Sequence, residues 1–339
     1  MHWKRILLAA VTLAASATPA LAAGEGKFSA LVFGDAYWMA ANHDSIIEDM
    51  NGLWIRRVNL TYDHTFDETY SARVRIEALQ PGDFSTPLTL QAFLKDAWIK
   101  WARSGHSALI GIQPSVGMPT VEDTWGYRAV EKIPFELQGL TTSRDGGIAA
   151  QGDFGASKTV GYHVLVGNGS HVNQETNTKK KVAGALRVRP IETVVLEAYG
   201  DYEDRMNSGD RVSYYGFAGY TGAGLRAGVQ YAHQTRMETG EDVDISFVSG
   251  FVVKSITEKM SVLARVDRNM DPNPQGPSIQ YMPFASVENT FFIAGLDFAV
   301  TEGVNFIPNA EITKYDDPDG PAEAPDTDVM LRLTFQGKF

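Results

Sequence analysis

The chain has 339 residues, a formal net charge of −11, a pI near 5.1 and no cysteine. An acidic chain is a poor partner for nucleic acid, whose phosphates need clustered Lys and Arg, and without cysteine neither a disulfide framework nor a thiolate metal site can form. The mean hydropathy of −0.18 has the value of a soluble protein, but a barrel with only alternate residues apolar gives the same average.

Residues 1–22 read "MHWKRILLAAVTLAASATPALA". A basic start at Lys4 and Arg5, an apolar run from Ile6 to Ala17 and a small-x-small ending at Ala20-Leu21-Ala22 predict a cleaved secretory signal peptide. The mature chain is then one domain over 23–339, and losing two cations takes its charge from −11 to −13. Beyond residue 22 no uncharged stretch approaches the ~20 residues of a membrane-spanning helix.

Alternation dominates the rest. In "TYSARVRIEAL", Tyr70, Ala72, Val74, Ile76 and Ala78 share one face, and Ser71, Arg73, Arg75 and Glu77 the other. Four successive polar positions facing one way need water on that side, because burying them unpaired costs several kcal/mol (about 2–7 per group). Val58, Leu60 and Tyr62 alternate likewise with Arg57, Asn59, Thr61 and Asp63. Sixteen strands follow: 28–38, 53–66, 69–80, 90–102, 107–113, 144–154, 159–168, 181–190, 193–203, 211–220, 224–235, 243–254, 260–269, 289–299, 303–314 and 328–339. The alternation is weakest in 28–38, 107–113, 144–154 and 243–254.

The connections are alternately long and short. "MAANHDSIIEDMNG" and the segments around 81–89, 114–143, 169–180, 204–210, 236–242, 270–288 and 315–327 are long. Asp67-Glu68, "RSGH", "GASK", "IE", "TGA", "SITEK" and "VTEG" are short. This rhythm predicts an all-β, transmembrane antiparallel barrel with short turns on the periplasmic side; nothing in a β-sandwich imposes it. The last strand, "LRLTFQGKF", then closes the sheet against the first, with Leu331, Leu333, Phe335 and Phe339 toward lipid and Arg332, Gln336 and Lys338 toward water. Trp54, Tyr62, Tyr70, Trp101, Tyr162, Tyr202, Tyr214, Tyr220 and Tyr231 fall on the lipid face, as interfacial girdles do.

The wet face carries Arg57, Arg73, Arg75, Lys100, Lys181, Arg187, Arg189, Arg226, Arg265, Arg332 and Lys338 against Asp63, Glu77, Asp96, Glu197, Asp201, Asp267, Asp297 and Glu311. Eleven cations against eight anions predict a wall near +3 and a weak preference for anions, unless these charges pair across strands as ladders. The longest connection, "QPSVGMPTVEDTWGYRAVEKIPFELQGLTTS", holds Trp125, Tyr127, Val130, Ile133 and Phe135, which do not belong in water. It is expected to fold into the lumen as a constriction carrying Glu122, Asp123, Arg128, Glu131, Lys132, Glu136 and Arg144; a lid or a subunit contact is the alternative.

"ALIGIQPSVGMP", then "SRDGGIAAQGDFG" and "VGYHVLVGNG", resemble the phosphate-selective porin O/P family of Gram-negative outer membranes, through Gly111, Arg144-Asp145 with Gly147, and Asn168-Gly169. Those motifs span residues 107–169. The resemblance implies a sixteen-stranded, homotrimeric porin in outer-membrane lipid, and a terminal Phe339 resembles the signal read by the barrel assembly machinery. The family's lysine cluster and arginine ladder have no residue-by-residue counterpart here, and the expected Pro-Phe reads Pro114-Ser115. No cofactor or metal motif is found. Two other readings stand beside a channel. A barrel hydrolase would use Ser170 with His171 or His163, although sequence neighbours on a strand point to opposite faces. An adhesion or ligand-binding barrel would use acidic loops such as "DDPDGPAEAPDTD", which lacks the spacing of an EF-hand.

Overall fold

The computed structural model describes residues 24–80, 89–155, 157–206, 209–238, 240–274, 287–318 and 323–339. The expected signal peptide, residues 1–22, lies outside the described residues, as do parts of five long connections.

Sixteen strands form one closed antiparallel barrel, each paired with its neighbours in sequence and the last with the first. They are β1 (Glu25–Ala41), β2 (Asn51–Thr65), β3 (Tyr70–Leu79), β4 (Gln91–Arg103), β5 (His106–Pro114), β6 (Arg144–Phe154), β7 (Val160–Gly167), β8 (Lys181–Ile191), β9 (Val194–Glu203), β10 (Arg211–Gly222), β11 (Leu225–Arg236), β12 (Val243–Thr257), β13 (Met260–Asn269), β14 (Asn289–Thr301), β15 (Val304–Tyr315) and β16 (Asp328–Lys338). All sixteen expected strands are present, the four weakly alternating ones included. Two short helices, α1 (Met118–Trp125) and α2 (Pro134–Leu137), interrupt the longest connection. No helix among the described residues is long and apolar enough to cross a membrane, which says nothing of strands.

Closure removes the exposed sheet edge. Leu31 pairs with Lys338, Phe33 with Gln336 and Trp38 with Leu331. The outer surface is apolar: Leu60, Val74, Ile76, Ile110, Ile148, Val166, Leu186, Val229 and Leu333 are each 43–61% exposed. An apolar belt of this extent on a folded surface is suited to hydrocarbon, not water.

One expected outward residue is not outward. Trp54 is 6% exposed and belongs to the interior cluster. The reason is a β-bulge: Phe33 pairs with Arg57 but Gly34 with Ile55, so Arg56 is an extra residue and the facing of β2 inverts there. A second bulge lies in β4, where Arg75 pairs with Asp96 and Ile76 with Leu94, leaving Lys95 extra. Each bulge turns two consecutive charged residues, Arg56-Arg57 and Lys95-Asp96, to the inside.

On the long-loop rim, the connection after β1 is tied to the closing seam. His43 donates its backbone N–H to Asp328 Oδ1 at 2.7 Å, its ring Nδ1 lies 2.9 Å from the same oxygen, and Tyr315 Oη lies 3.2 Å from that nitrogen.

Candidate functional site

The connection between β5 and β6 is bridged at its base by Ser115 N–H donating to Ser143 O at 3.1 Å. Pro119 sits in the first turn of α1, where its missing N–H costs nothing. Gly126 ends the helix at φ +71°, donating to Glu122 O at 2.7 Å. A side chain at Gly126 would also meet Arg226 Nη1 at 1.8 Å.

Apolar residues fix this segment inside the barrel. Val121, Trp125, Val130, Ile133, Phe135, Leu137 and Leu140 are all at most 2% exposed. Phe135 packs edge-on against Tyr199 and Tyr215 (ring centroids 5.5 and 5.3 Å apart), and Trp125 against Phe251 at 5.3 Å. Full burial of such side chains contributes about 1.5–3 kcal/mol each. The strands also bond the segment's polar groups. Arg56 of β2 donates to Val130 O at 2.9 Å and to Ala129 O. Arg332 of β16 reaches Val130 O at 3.0 Å, and Arg265 of β13 reaches Lys132 O at 2.5 Å. Gln234 of β11 reaches Leu140 O at 2.9 Å. In the other direction, Tyr127 donates to Asp297 of β14 at 2.9 Å and Thr120 to Glu197 of β9 at 2.5 Å. The segment is thus bonded to six strands around the inner wall.

What it leaves open is a cavity of about 400 Å³ between the loop and the β1–β4 and β16 side of the wall. Seven cations line it: Arg57, Arg75, Lys95, Arg128, Arg144, Arg226 and Lys338, with Glu122 and Asp123 opposite. Three further carboxylates touch these cations from behind. Glu77 pairs with Arg57 at 3.3 Å and with Lys95; Asp96 pairs with Arg75 at 3.1 Å and with Arg144; Glu136 takes Arg128 Nη2 at 2.7 Å. Seven cations against five carboxylates leave a net charge of about +2. Arg226 and Lys338 have no carboxylate within ion-pair distance among the described residues. Arg226 instead lies over the Tyr127 ring, 5.2 Å from its centroid, where a cation is attracted to the π face.

The loop groups titrate away from their ordinary values. Burial would lower Arg128, but Glu122 and Glu136 outweigh it and hold the guanidinium above its usual range. Burial would raise Glu136, but Arg128, then Lys132 and Arg57, hold it well below the carboxylate range. Glu131 is likewise lowered, burial being outweighed by Arg56 and Arg332. Asp123 is raised, first by burial and then by Glu122. Burial lowers Lys132.

The expected site residues fall in several places. Arg57, Arg75, Arg128, Glu122 and Asp123 meet at the cavity, with Glu77 and Glu136 behind it. Arg144 is the first residue of β6 rather than part of the loop, and it reaches the same cavity. Arg73 pairs with Asp63 at 2.6 Å and lies over Trp98, as Lys100 does, nearer the short-turn rim. Arg187 and Arg189 gather on Asp153 at 2.7 and 3.9 Å, away from the cavity. Arg265 is 1% exposed, bonded to Asp267 and covered by Trp125, so it anchors the loop and does not face open water. Glu131 is 1% exposed beside Arg332, and Lys132 shares its interior surroundings. The alternation pattern missed Arg56 and Lys95, both turned inward by the bulges. The signal available was the two adjacent charges, "RR" and "KD", inside otherwise alternating strands. Ser170 and His171 are bonded elsewhere: Ser170 Oγ lies 3.5 Å from Asn173 O, and His171 Nδ1 lies 3.1 Å from Arg144 O.

Solved structures share this architecture. The anion-selective porin of Comamonas acidovorans superposes with a TM-score of 0.68 at 9% identity, over 93% of this chain and 100% of that one. OmpT of Vibrio cholerae gives 0.67 at 10% identity, over 94% and 99%. Salmonella typhi OmpF, solved with daunomycin, gives 0.65 at 11% identity, over 93% and 98%. The chain therefore has the porin fold. No family model and no curated protein matches it, so the narrower likeness to the phosphate-selective O/P family rests on the quoted residues alone.

Proposed function

We propose that the chain forms a water-filled channel in a Gram-negative outer membrane, through which small hydrophilic solutes diffuse passively, anions somewhat better than cations. The observation that carries this reading is the cavity beside the constriction loop. Its two uncompensated cations stand in a cavity walled by protein, where low dielectric focuses their field. The apolar outer belt supplies the membrane, and the loop supplies a fixed aperture.

Export by the 1–22 signal peptide, insertion by the barrel assembly machinery through the strand ending in Phe339, and assembly as a homotrimer belong to the same reading. One structure sharing the fold is described as a trimer form of Vibrio cholerae OmpT (TM-score 0.62, 10% identity). A catalytic role is not part of it.

Planar bilayers test it. Folded protein should give discrete conductance steps, and the reversal potential in a KCl gradient should favour chloride. Replacing Arg73 and Arg75 together by Glu should move that potential toward cation preference. Folded barrels that insert without discrete conductance would refute the channel.

A further inference from the structure

A second cavity, of about 270 Å³, lies on the other side of α1 and shares no lining residue with the first. Pro119 and Thr120 look into it from the helix, whereas Glu122 and Asp123 look into the cationic cavity. Gly105 of the β4–β5 turn also lines it, which places its mouth toward the short-turn rim.

The chemistry is different. Its charged groups bond mainly to one another and to neighbouring hydroxyls. Arg187 Nη2 bonds Asp153 Oδ1 at 2.7 Å. Glu197 accepts from Thr120 at 2.5 Å and from Tyr215 at 2.8 Å. A side chain at Gly161 would come within 2.5 Å of Asp153 and 2.6 Å of Arg187, so the glycine leaves room for that ion pair. Three neutral polar side chains, Ser107, Gln151 and His163, line the cavity half-buried and make no side-chain hydrogen bond among the described residues. Of the atoms lining the cavity, Arg187 Nε is buried without a hydrogen-bond partner. Half-exposed donors and acceptors with no protein partner stand open to a solute in the lumen.

We propose that this cavity is a binding subsite for a neutral polyhydroxylated solute of hexose size. Its volume equals about nine waters of liquid, which suits a single six-carbon polyol. Ser107, Gln151 and His163 supply both donors and acceptors, as a hydroxyl-rich ligand requires. An anion would meet Asp153 and Glu197, and a cation would meet Arg187. The cavity offers no stacking platform, since the Tyr162 ring lies against Phe154 (5.3 Å, stacked). Binding is therefore weak, with a Kd on the order of millimolar, which permits release.

Saturation-transfer NMR on the folded barrel in detergent tests this with D-glucose, myo-inositol and inorganic phosphate. It needs no conductance, so it is independent of the channel reading: a barrel that binds glucose but carries no current fails only as a channel. Glucose should receive saturation, inositol should compete and phosphate should not. Gln151→Leu, or Ser107→Val if the first variant loses the heat-modifiable migration of a folded barrel, should reduce the transfer at least several-fold. Arg226→Gln, in the other cavity, should leave it unchanged. No transfer to glucose, equal transfer in both cavity variants, or displacement by phosphate would overturn the proposal.

Discussion

Arg56 Nη1 donates to the carbonyl of Val130 at 2.9 Å, joining a bulge in the barrel wall to the tip of the constriction loop 74 residues away. The same guanidinium holds Asp35, which is fully buried and also bonded by Thr334 at 2.5 Å. Arg56→Ala removes the loop's tether and leaves a buried carboxylate uncompensated. Breaking a buried pair in this way costs about 3–5 kcal/mol. The expected result is a lower unfolding midpoint together with a larger single-channel conductance. Unchanged conductance would show that the loop is held by its apolar face alone.

That apolar face gives the second prediction. Phe135→Ala leaves a void against Tyr199 and Tyr215, and such truncations cost about 3–5 kcal/mol. Conductance noise should rise because the aperture is no longer held in one position. A quiet channel of wild-type size would contradict the packing described.

Arg226 bears on selectivity. It lines the cavity without a carboxylate partner, so Arg226→Gln removes a charge that nothing else cancels. A unit charge at about 4 Å in water is worth ~1 kcal/mol, so the anion-to-cation permeability ratio from reversal potentials should fall a few-fold. Arg265→Gln, beneath the loop, should change stability far more than selectivity.

Acid should strengthen the anion preference. Asp123 stands above its ordinary value, so it protonates at a higher pH than a free aspartate does. Glu136, held below the carboxylate range by Arg128, keeps its charge and its contribution to the loop's stability, which is lost only as pH falls through its depressed value. Reversal potentials measured between neutral pH and about 4 should therefore drift toward chloride while the conductance step persists. Asp123→Asn should reduce the drift.

The seam latch has the opposite sign. His43 is raised, first by its hydrogen bond to Asp328, with burial opposing. A histidine raised in the folded state contributes stability fully below its ordinary value, about 6.5, and loses it as pH rises through the higher folded value. The temperature at which the barrel loses its compact electrophoretic form should therefore drop from pH 6 to pH 9 in wild type. In His43→Ala that fall should flatten.

The barrel was legible because its physics is local. Arg73, Arg75 and Glu77 against Val74 and Ile76 require two solvents on two sides of one strand, and the alternation of long and short connections fixes the antiparallel order. The site was legible only in part. Alternation places Arg57 and Arg75 correctly as inward residues, but it cannot announce a shift of phase, so it sent Trp54 outward and overlooked Arg56 and Lys95. It also treats every inward charge alike. Whether an arginine faces the cavity, as Arg226 does, or lies under an indole, as Arg265 does, depends on how a loop distant in sequence packs, and no periodicity carries that.

The bulge at Arg56 has an evolutionary corollary. A substitution at this pair alters one side chain, whereas loss of a single codon from it would restore strict alternation. The residues of β2 ahead of the gap would keep their register and their facing, Leu53 outward and Trp54 inside, because the bulge holds just the one extra residue. Lineages carrying this strand can therefore shed the bulge without disturbing the hydrocarbon surface, and the cost falls instead on the second inward cation, which holds Asp35 and the loop.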